Sequence, residues 1–263
     1  MVKQTPKIEF RNVSLRYFSK EGETEALRNI SFSVRAGEFV SIVGQSGCGK
    51  STLLSLLSGL IAPTSGEVFV DGKKIDGPSP LTAFMLQQDS LFEWRTVLKN
   101  TMLGPEFRGT LNANTRKRAE SLLTSYGLKD FMHHLPQQLS GGMRQRAALA
   151  RTMCSDPDVL LLDEPFSALD FQTRLSIADE ISTIIRKEGK TAVLVTHDIG
   201  EAVSMSDRVI VLSSRPGRIK AEYEIAYPSC GNDRPSPMKA REAAEYHGYF
   251  NTLWEELDAH ATH

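Results

Sequence analysis

Residues 44–51 constrain this chain more than any other part of its sequence. They read GQSGCGKS and match the pattern G-x-x-x-x-G-K-[ST] at every fixed position. The apolar run at 39–43 predicts a buried strand before the segment, and residues 50–57 predict a helix after it. In this setting backbone N–H groups turn onto phosphate, and the helix N-terminus and the lysine add positive charge. We therefore predict a phosphate-binding loop formed by Gly44, Gln45, Ser46, Gly47, Cys48, Gly49, Lys50, Ser51 and Thr52.

The composition is that of an ordinary globular protein and excludes several other classes. The chain has 263 residues, of which 40% are hydrophobic and 24% charged, and its formal net charge is −1. This charge argues against a nucleic-acid partner. No run approaches the roughly 18 to 20 apolar residues that span a bilayer, and the N-terminus lacks the apolar core of a secretory signal. We expect a cytoplasmic protein, with three scattered cysteines that form neither a disulfide framework nor a metal site.

The hydrophobic pattern changes twice along the chain. Short strand signals alternate with helices up to residue 87 and again after 155, which predicts an α/β core with a mostly parallel sheet. Helical spacing dominates between residues 88 and 155, so we predict an inserted helical subdomain there. The main domain is expected to cover residues 1–227. Residues 228–263 are predicted to form a linker and one helix from Pro237 to Leu257, which packs on the parent domain.

Two acidic residues follow a fully apolar run at 159–162. Asp163 would share a magnesium ion with Ser51, and Glu164 would polarise water for attack on the γ-phosphate. Two carboxylates leaving a buried strand are costly unless something offsets their charge, and a hydrated metal ion does so. The alternative is an acidic pair at a strand end without a catalytic role.

Three further side chains lie at predicted strand ends. His197 follows the apolar run at 192–195 and would contact the γ-phosphate or its attacking water. Gln87 ends another strand and would touch magnesium or water. Tyr17 offers an aromatic face on which adenine can stack. The competing interpretations are a structural role for His197 and core packing for Tyr17.

A second glycine-rich segment opens a helix far from the first. Ser140 is predicted to cap this helix, and Gly141 and Gly142 leave backbone N–H groups uncovered. Such a helix end is another anion site, so two copies of the chain would clamp one nucleotide between them. The competing interpretation is a turn and a cap without a ligand.

These motifs, in this order, resemble the ATP-binding cassette (ABC) family of transport ATPases. Residues 44–51 resemble its Walker A loop, 139–145 its signature, 159–164 Walker B and 167–170 the D-loop. The resemblance implies an α/β P-loop NTPase fold with a mixed, mostly parallel core, an antiparallel β subdomain and the inserted helical subdomain. It implies ATP and Mg²⁺ as cofactors and a head-to-tail dimer. The residues it assigns to the second copy's nucleotide or to the dimer contact are Ser140, Gly141, Gly142, Gln145 and Asp170.

A finer likeness concerns the transported solute. Residues 91–97, 141–146 and 214–219 look like the nitrate/sulfonate/taurine importer branch, although Glu93 stands where that branch commonly has proline. The likeness implies permease subunits in the membrane, a solute-binding protein outside it, and a location on the inner face of the cell membrane. A different solute, such as a vitamin precursor, stays open. Two rival functions are a soluble ABC ATPase acting on nucleic acid or ribosomes, and a small-molecule kinase.

The sequence also makes a prediction about a thiol. Cys48 precedes the helix that follows the phosphate loop. A cysteine at a helix N-terminus commonly has a lowered pKa. We therefore expect the Cys48 thiol to react with maleimide.

Overall fold

A computed structural model describes residues 5–19, 22–231 and 234–258. In these residues the strands form two sheets, and helices pack against both faces of the larger one. The strands are β1 (Ile8–Ser19), β2 (Gly22–Val34), β3 (Phe39–Val43), β4 (Ser65–Val70), β5 (Lys73–Lys74), β6 (Thr82–Met85), β7 (Val159–Asp163), β8 (Thr191–Val195), β9 (Arg208–Leu212) and β10 (Ile219–Glu224). The helices are α1 (Lys50–Leu57), α2 (Val97–Thr101), α3 (Leu103–Phe107), α4 (Ala113–Ser125), α5 (Gly141–Cys154), α6 (Phe171–Lys187), α7 (Ile199–Met205), α8 (Pro237–Glu242) and α9 (Tyr246–Asp258).

The larger sheet has the order β10-β9-β3-β8-β7-β6 and is parallel except for β10. Its central strands β3 and β8 are buried along their whole length. Strands that are covered on both faces have no side exposed to solvent, which explains why their sequences are largely apolar. One apolar cluster joins this sheet to α5 and α6, and a second joins it to α1 and the smaller sheet. The predicted mixed, mostly parallel core is confirmed.

The smaller sheet is antiparallel, in the order β2-β1-β4-β5. The pairing of β1 and β2 shifts between Phe10 and Val13, where Asn12 has a φ of 49°. This left-handed residue is the irregularity that the alternation predicts there. Asp71 and Gly72, both with positive φ, form the tight turn between β4 and β5.

The segment between β6 and β7 contains helices α2 to α5 and no strand among its described residues. Asn112 caps α4 by accepting hydrogen bonds from the N–H groups of Asn114 and Thr115. Helix α5 packs against α2 and α4 on one side and α6 on the other. Within the described part of the chain, no helix is long and apolar enough to cross a membrane.

The C-terminal part differs from its prediction. The single helix expected from Pro237 to Leu257 is wrong, because Ala243 has an extended backbone with ψ near 146° and separates α8 from α9. The carboxylate of Glu245 accepts hydrogen bonds from the N–H and hydroxyl of Ser229, which holds this break in place. As expected, both helices pack on the parent domain: Ala240 of α8 and Leu253 of α9 belong to one apolar cluster with α7 and β9.

Candidate active site

The parallel strands bring the predicted catalytic residues to one edge of the larger sheet. The phosphate loop follows β3, Asp163 ends β7, and His197 lies two residues beyond β8. Gln87 follows β6 at the same edge, although that strand ends at Met85 rather than at Gln87. The carboxyl ends of parallel strands are where α/β proteins place their ligands.

The phosphate loop encloses a cleft of about 210 Å³. Lys50 is 7% exposed, and its Nζ donates to the carbonyl oxygens of Gly44 (2.8 Å) and Gln45 (3.0 Å). Gly49 has a φ of 106°, which a side chain would strain. The cleft is lined by Tyr17, Ala26, Ser46, Gly47, Gly49, Lys50, Ser51, Thr52, Glu164 and Arg215. The loop is thus folded for an anion, with the ammonium group held at its centre.

Ser51 and Asp163 form a pair suited to a magnesium ion. The Ser51 hydroxyl donates to Oδ1 of Asp163 at 3.1 Å. Burial raises the pKa of Asp163, helped by the charge of Glu164 and opposed by the Ser51 hydrogen bond. A cation would relieve this cost of charging Asp163. Hydroxyl and carboxylate oxygens are what Mg²⁺ prefers, with phosphate and water completing its shell, so these residues fit the ion.

Glu164 and His197 are in direct contact. The Nδ1 atom of His197 lies 3.0 Å from Oε2 of Glu164. Glu164 has a φ of 44°, an uncommon conformation for a residue with a side chain, and its N–H donates to the carbonyl of Val195 at 2.8 Å. The turn after β7 thus fixes the Glu164 backbone beside β8. With Nδ1 engaged, Nε2 of His197 is left for a ligand.

Gln87 is tied to the same turn through Ser167. Its Nε2 donates to the Ser167 hydroxyl at 3.3 Å, and that hydroxyl donates to the carbonyl of Glu164 at 3.0 Å. Gln87 itself is exposed. The structure therefore links three predicted elements, the Gln87 segment, Walker B and the D-loop, by hydrogen bonds.

The buried carboxyl group of Glu201 supports the loop that carries His197. The Thr196 hydroxyl donates to Glu201 at 2.7 Å and accepts from the N–H of Asp198 at 3.0 Å. Asp198 in turn caps α7 by accepting from the N–H of Glu201. Burial raises the pKa of Glu201 to about 7. Glu201 was not among the residues predicted from the sequence, because nothing in its local pattern marks it as buried.

Tyr17 lies at the mouth of the cleft. It is 47% exposed, so the competing interpretation of core packing is wrong. Its hydroxyl lies 3.4 Å from Oγ1 of Thr52. The ring is free to stack on a flat ligand.

The second glycine-rich segment lies at a different surface. Ser140 caps α5 as predicted, accepting from the N–H of Met143 at 3.3 Å. Ser140 and Gly141 are exposed, whereas Gly142 is buried against Ile177. Ser140 and Gly142 line a cavity with Gln172, Thr173 and Ser176 of α6, and none of these residues lines the phosphate cleft.

The two remaining residues assigned to the second copy's nucleotide or to the dimer contact differ in exposure. Asp170 is exposed and caps α6, accepting from the N–H of Thr173 at 3.1 Å. Gln145 is only 3% exposed and lines a cavity beside Gln87 and Ala168. In one copy of the chain, Gln145 therefore adjoins the Gln87 segment rather than open surface.

Two arginines join the Gln87 segment to helix α5. Arg144 contacts both oxygens of Asp89, at 2.7 and 3.0 Å, and Oε1 of Glu93 at 2.7 Å. Arg151 donates to the carbonyls of Asp89 and Ser90, both at 2.6 Å. The carboxylates raise the pKa of Arg144. Glu93, which departs from the importer branch, thus adds a second carboxylate to this contact.

Cys48 corrects a prediction. Its side chain is 1% exposed, and burial raises the pKa of the thiol, outweighing the nearby Lys50 charge. The Sγ atom packs beneath the loop, so close that a Cβ on Gly44 would lie 2.7 Å from it. The expected maleimide reactivity is therefore wrong, because the thiol faces the core and not the ligand.

We expect maleimide to modify Cys230 rather than Cys48 in the folded protein, because Cys230 is exposed while Cys48 and Cys154 are buried. Mass spectrometry of labelled peptides would show the site. A Cys230→Ser variant should take up almost no label until it is unfolded, and ATPase activity should survive labelling. Rapid labelling of Cys48 in native protein would contradict its burial.

Comparison with known sequences decides the family. The sequence profile described as ABC transporter matches residues 27–167. The chain is 44% identical to the uncharacterized ABC transporter ATP-binding protein YtlC of Bacillus subtilis, over 94% of each chain. The chain belongs to the ABC transporter family. The predictions from the motifs that this chain is an ATP-binding subunit and that it is an ATPase are confirmed.

Further ABC relatives agree in sequence and fold. The taurine import ATP-binding protein TauB of Roseobacter denitrificans is 41% identical over 86% of this chain and 85% of its own. The dimeric post-hydrolysis structure of the cassette MJ0796 bound to ADP and Pi superposes with a TM-score of 0.72 at 35% identity. It covers 83% of this chain and 99% of that one. The predicted α/β ABC cassette fold is confirmed.

Proposed function

We propose that this ABC ATPase powers the import of a small solute of the nitrate, sulfonate or taurine type. Relatives named for taurine import, at 38% to 41% identity over most of the chain, support this class of solute. The observation that carries the chemistry is the Ser51–Asp163 and Glu164–His197 arrangement beside a folded phosphate loop. We place the subunit on the cytoplasmic face of the membrane, beneath permease subunits that an extracytoplasmic binding protein supplies.

Each residue has a defined part in hydrolysis. Lys50 and the loop N–H groups hold the β- and γ-phosphates, and Tyr17 stacks on adenine. Ser51, Asp163 and Gln87 would hold Mg²⁺, which offsets phosphate charge when bound. Glu164 accepts a proton from the attacking water, and His197, with Nδ1 against Glu164, presents Nε2 to the γ-phosphate or the attacking water.

The site is completed by a second copy of the chain. Ser140 and Gly141 present an anion-binding helix end that is exposed and does not line the chain's own phosphate cleft. A head-to-tail partner would bring this end over the γ-phosphate, with Asp170 at the contact. The dimeric state of the similar MJ0796 cassette supports this arrangement.

An exposed aromatic surface beside Gln87 is the proposed contact with the permease. Trp94 is 75% exposed and stacks on Phe92 at 4.9 Å, while Arg95 joins this loop to Glu106 of α3. Phe107, 78% exposed, follows Glu106. Exposed apolar clusters of this kind commonly mark protein interfaces.

This surface is connected to the second glycine-rich segment. Arg144 and Arg151 lie on α5, which begins at that segment, and they bond the loop that carries Trp94. If the permease displaces residues 89–95, which we call the docking loop, α5 would therefore move with them. Through Ser167, the same loop region also reaches the carbonyl of Glu164. These contacts give a physical route between solute transport and ATP hydrolysis.

Replacing Trp94 with alanine should abolish co-purification with the permease while the isolated protein still hydrolyses ATP. Trp254→Ala is the matched control, because Trp254 is 55% exposed and stacks on Phe250 in α9, away from the docking loop. The tagged subunit would be purified from detergent-solubilised membranes that also hold the permease. Equal recovery of the permease with both variants would contradict the proposed docking surface.

A further inference from the structure

The turn between β9 and β10 places the positively charged side chain of Arg215 at the phosphate cleft. Arg215 lines this cleft together with Tyr17 and Lys50. Its Nε donates to the carbonyl of Gly47 at 3.3 Å. The sequence marked residues 214–219 by their likeness to the importer branch and assigned Arg215 no role.

The turn is fixed against the phosphate loop by its backbone. The N–H of Gly217 donates to the carbonyl of Ala26, and the carbonyl of Gly217 accepts from the N–H of Arg28, both at 2.9 Å. A Cβ on Gly217 would lie 2.2 Å from the carbonyl oxygen of Cys48. Only glycine allows so close an approach, and this approach holds Arg215 at the cleft.

The Arg215 guanidinium still has N–H donors with which to bind an anion. Arg215 is exposed, and it forms no ion pair with a carboxylate in the described residues. A guanidinium has five N–H donors in a planar fork that matches phosphate oxygens. The hydrogen bond to Gly47 uses one of them. The other donors lie at a cleft whose other cation, Lys50, is already buried at the centre of the loop.

We propose that Arg215 binds the phosphate chain of ATP from the outer side of the loop, as a second cation beside Lys50. This assignment rests on the proposed ATP site and adds a binding residue to it. The competing explanation is that Arg215 only supports the Gly47 carbonyl. The two explanations require different properties of the Arg215 side chain. Phosphate binding requires its positive charge, whereas support of the Gly47 carbonyl requires only a hydrogen-bond donor.

Calorimetric titration of the full chain with ATP and Mg²⁺ would test the assignment. We expect Arg215→Ala to weaken ATP binding about tenfold at low salt, the loss of roughly one charge-assisted hydrogen bond. Arg218→Ala is the matched control, because Arg218 is exposed on the same turn and does not line the cleft. It should bind ATP like the unmodified chain.

Two further variants separate charge from support. Arg215→Gln keeps a donor for Gly47 and should bind as weakly as Arg215→Ala, whereas Arg215→Lys should recover part of the affinity. The difference between the unmodified chain and Arg215→Ala should also shrink at high salt. Full affinity in Arg215→Gln, or equal affinities for the two alanine variants, would overturn the assignment. Absence of ATP binding by the unmodified chain would instead overturn the proposed site itself.

Discussion

Replacing Glu164 with glutamine is expected to convert the protein into a stable ATP-bound dimer. Glutamine has nearly the same shape and can still accept the hydrogen bond from Nδ1 of His197, which lies 3.0 Å from Oε2 of Glu164. It cannot accept the proton of the attacking water, so hydrolysis should fall by a factor on the order of 10² to 10⁴. The proposed contacts of Lys50 with phosphate and of Ser51 with Mg²⁺ would be unchanged, and ATP would therefore continue to hold two copies together.

Size-exclusion chromatography with light scattering, in ATP and Mg²⁺, measures this state directly. Glu120→Gln is a suitable control, since Glu120 pairs with Arg116 on the exposed face of α4. The Glu120→Gln protein should hydrolyse ATP at the normal rate and then return to the oligomeric state that it has without nucleotide. A second variant, Glu164→Gln with Ser140→Glu, should bind ATP but stay monomeric, because a carboxylate at the α5 end repels the partner's γ-phosphate. A monomeric Glu164→Gln protein in saturating ATP would contradict the two-copy site.

Features written in consecutive residues were predictable from the sequence. The phosphate loop, the acidic pair after β7 and the cap at Ser140 each depend on a local pattern with one conformational solution. The strand β10 also carried a local signal, since residues 219–224 (IKAEYE) alternate between apolar and polar types, and in the structure they alternate between half-buried and exposed. No strand was predicted there, although these residues lie within the predicted main domain, 1–227.

Features that depend on packing between distant segments could not be predicted. Cys48 is adjacent to a helix N-terminus in sequence, but the loop folds over it and burial decides its pKa. Arg144 and Asp89 meet only because α5 lies beside the Gln87 segment. Arg215 reaches the phosphate cleft through close contact of Gly217 with Cys48, residues far apart in the chain. No periodicity encodes such contacts.

Replacing Lys50 with alanine is expected to remove measurable ATP binding. The ammonium group is 7% exposed, and in this structure it donates to the carbonyls of Gly44 and Gln45, which shape the loop. When a triphosphate enters the cleft, this ammonium group would bind its phosphate oxygens. The alanine substitution removes the central cation and leaves those carbonyls without their donor, so ATP affinity should fall on the order of 100-fold or more.

Calorimetry with ATP and with ADP would measure the loss, and circular dichroism would show that the fold is kept. Lys117→Ala, an exposed lysine on α4, is the matched control and should bind both nucleotides normally. The comparison with Arg215→Ala is informative, because the two cations differ in position. Lys50 lies at the centre of the loop and Arg215 at its outer side, so the first substitution should abolish binding and the second only weaken it. Tight ATP binding by a folded Lys50→Ala protein would mean that the cleft of residues 44–52 does not hold the phosphates.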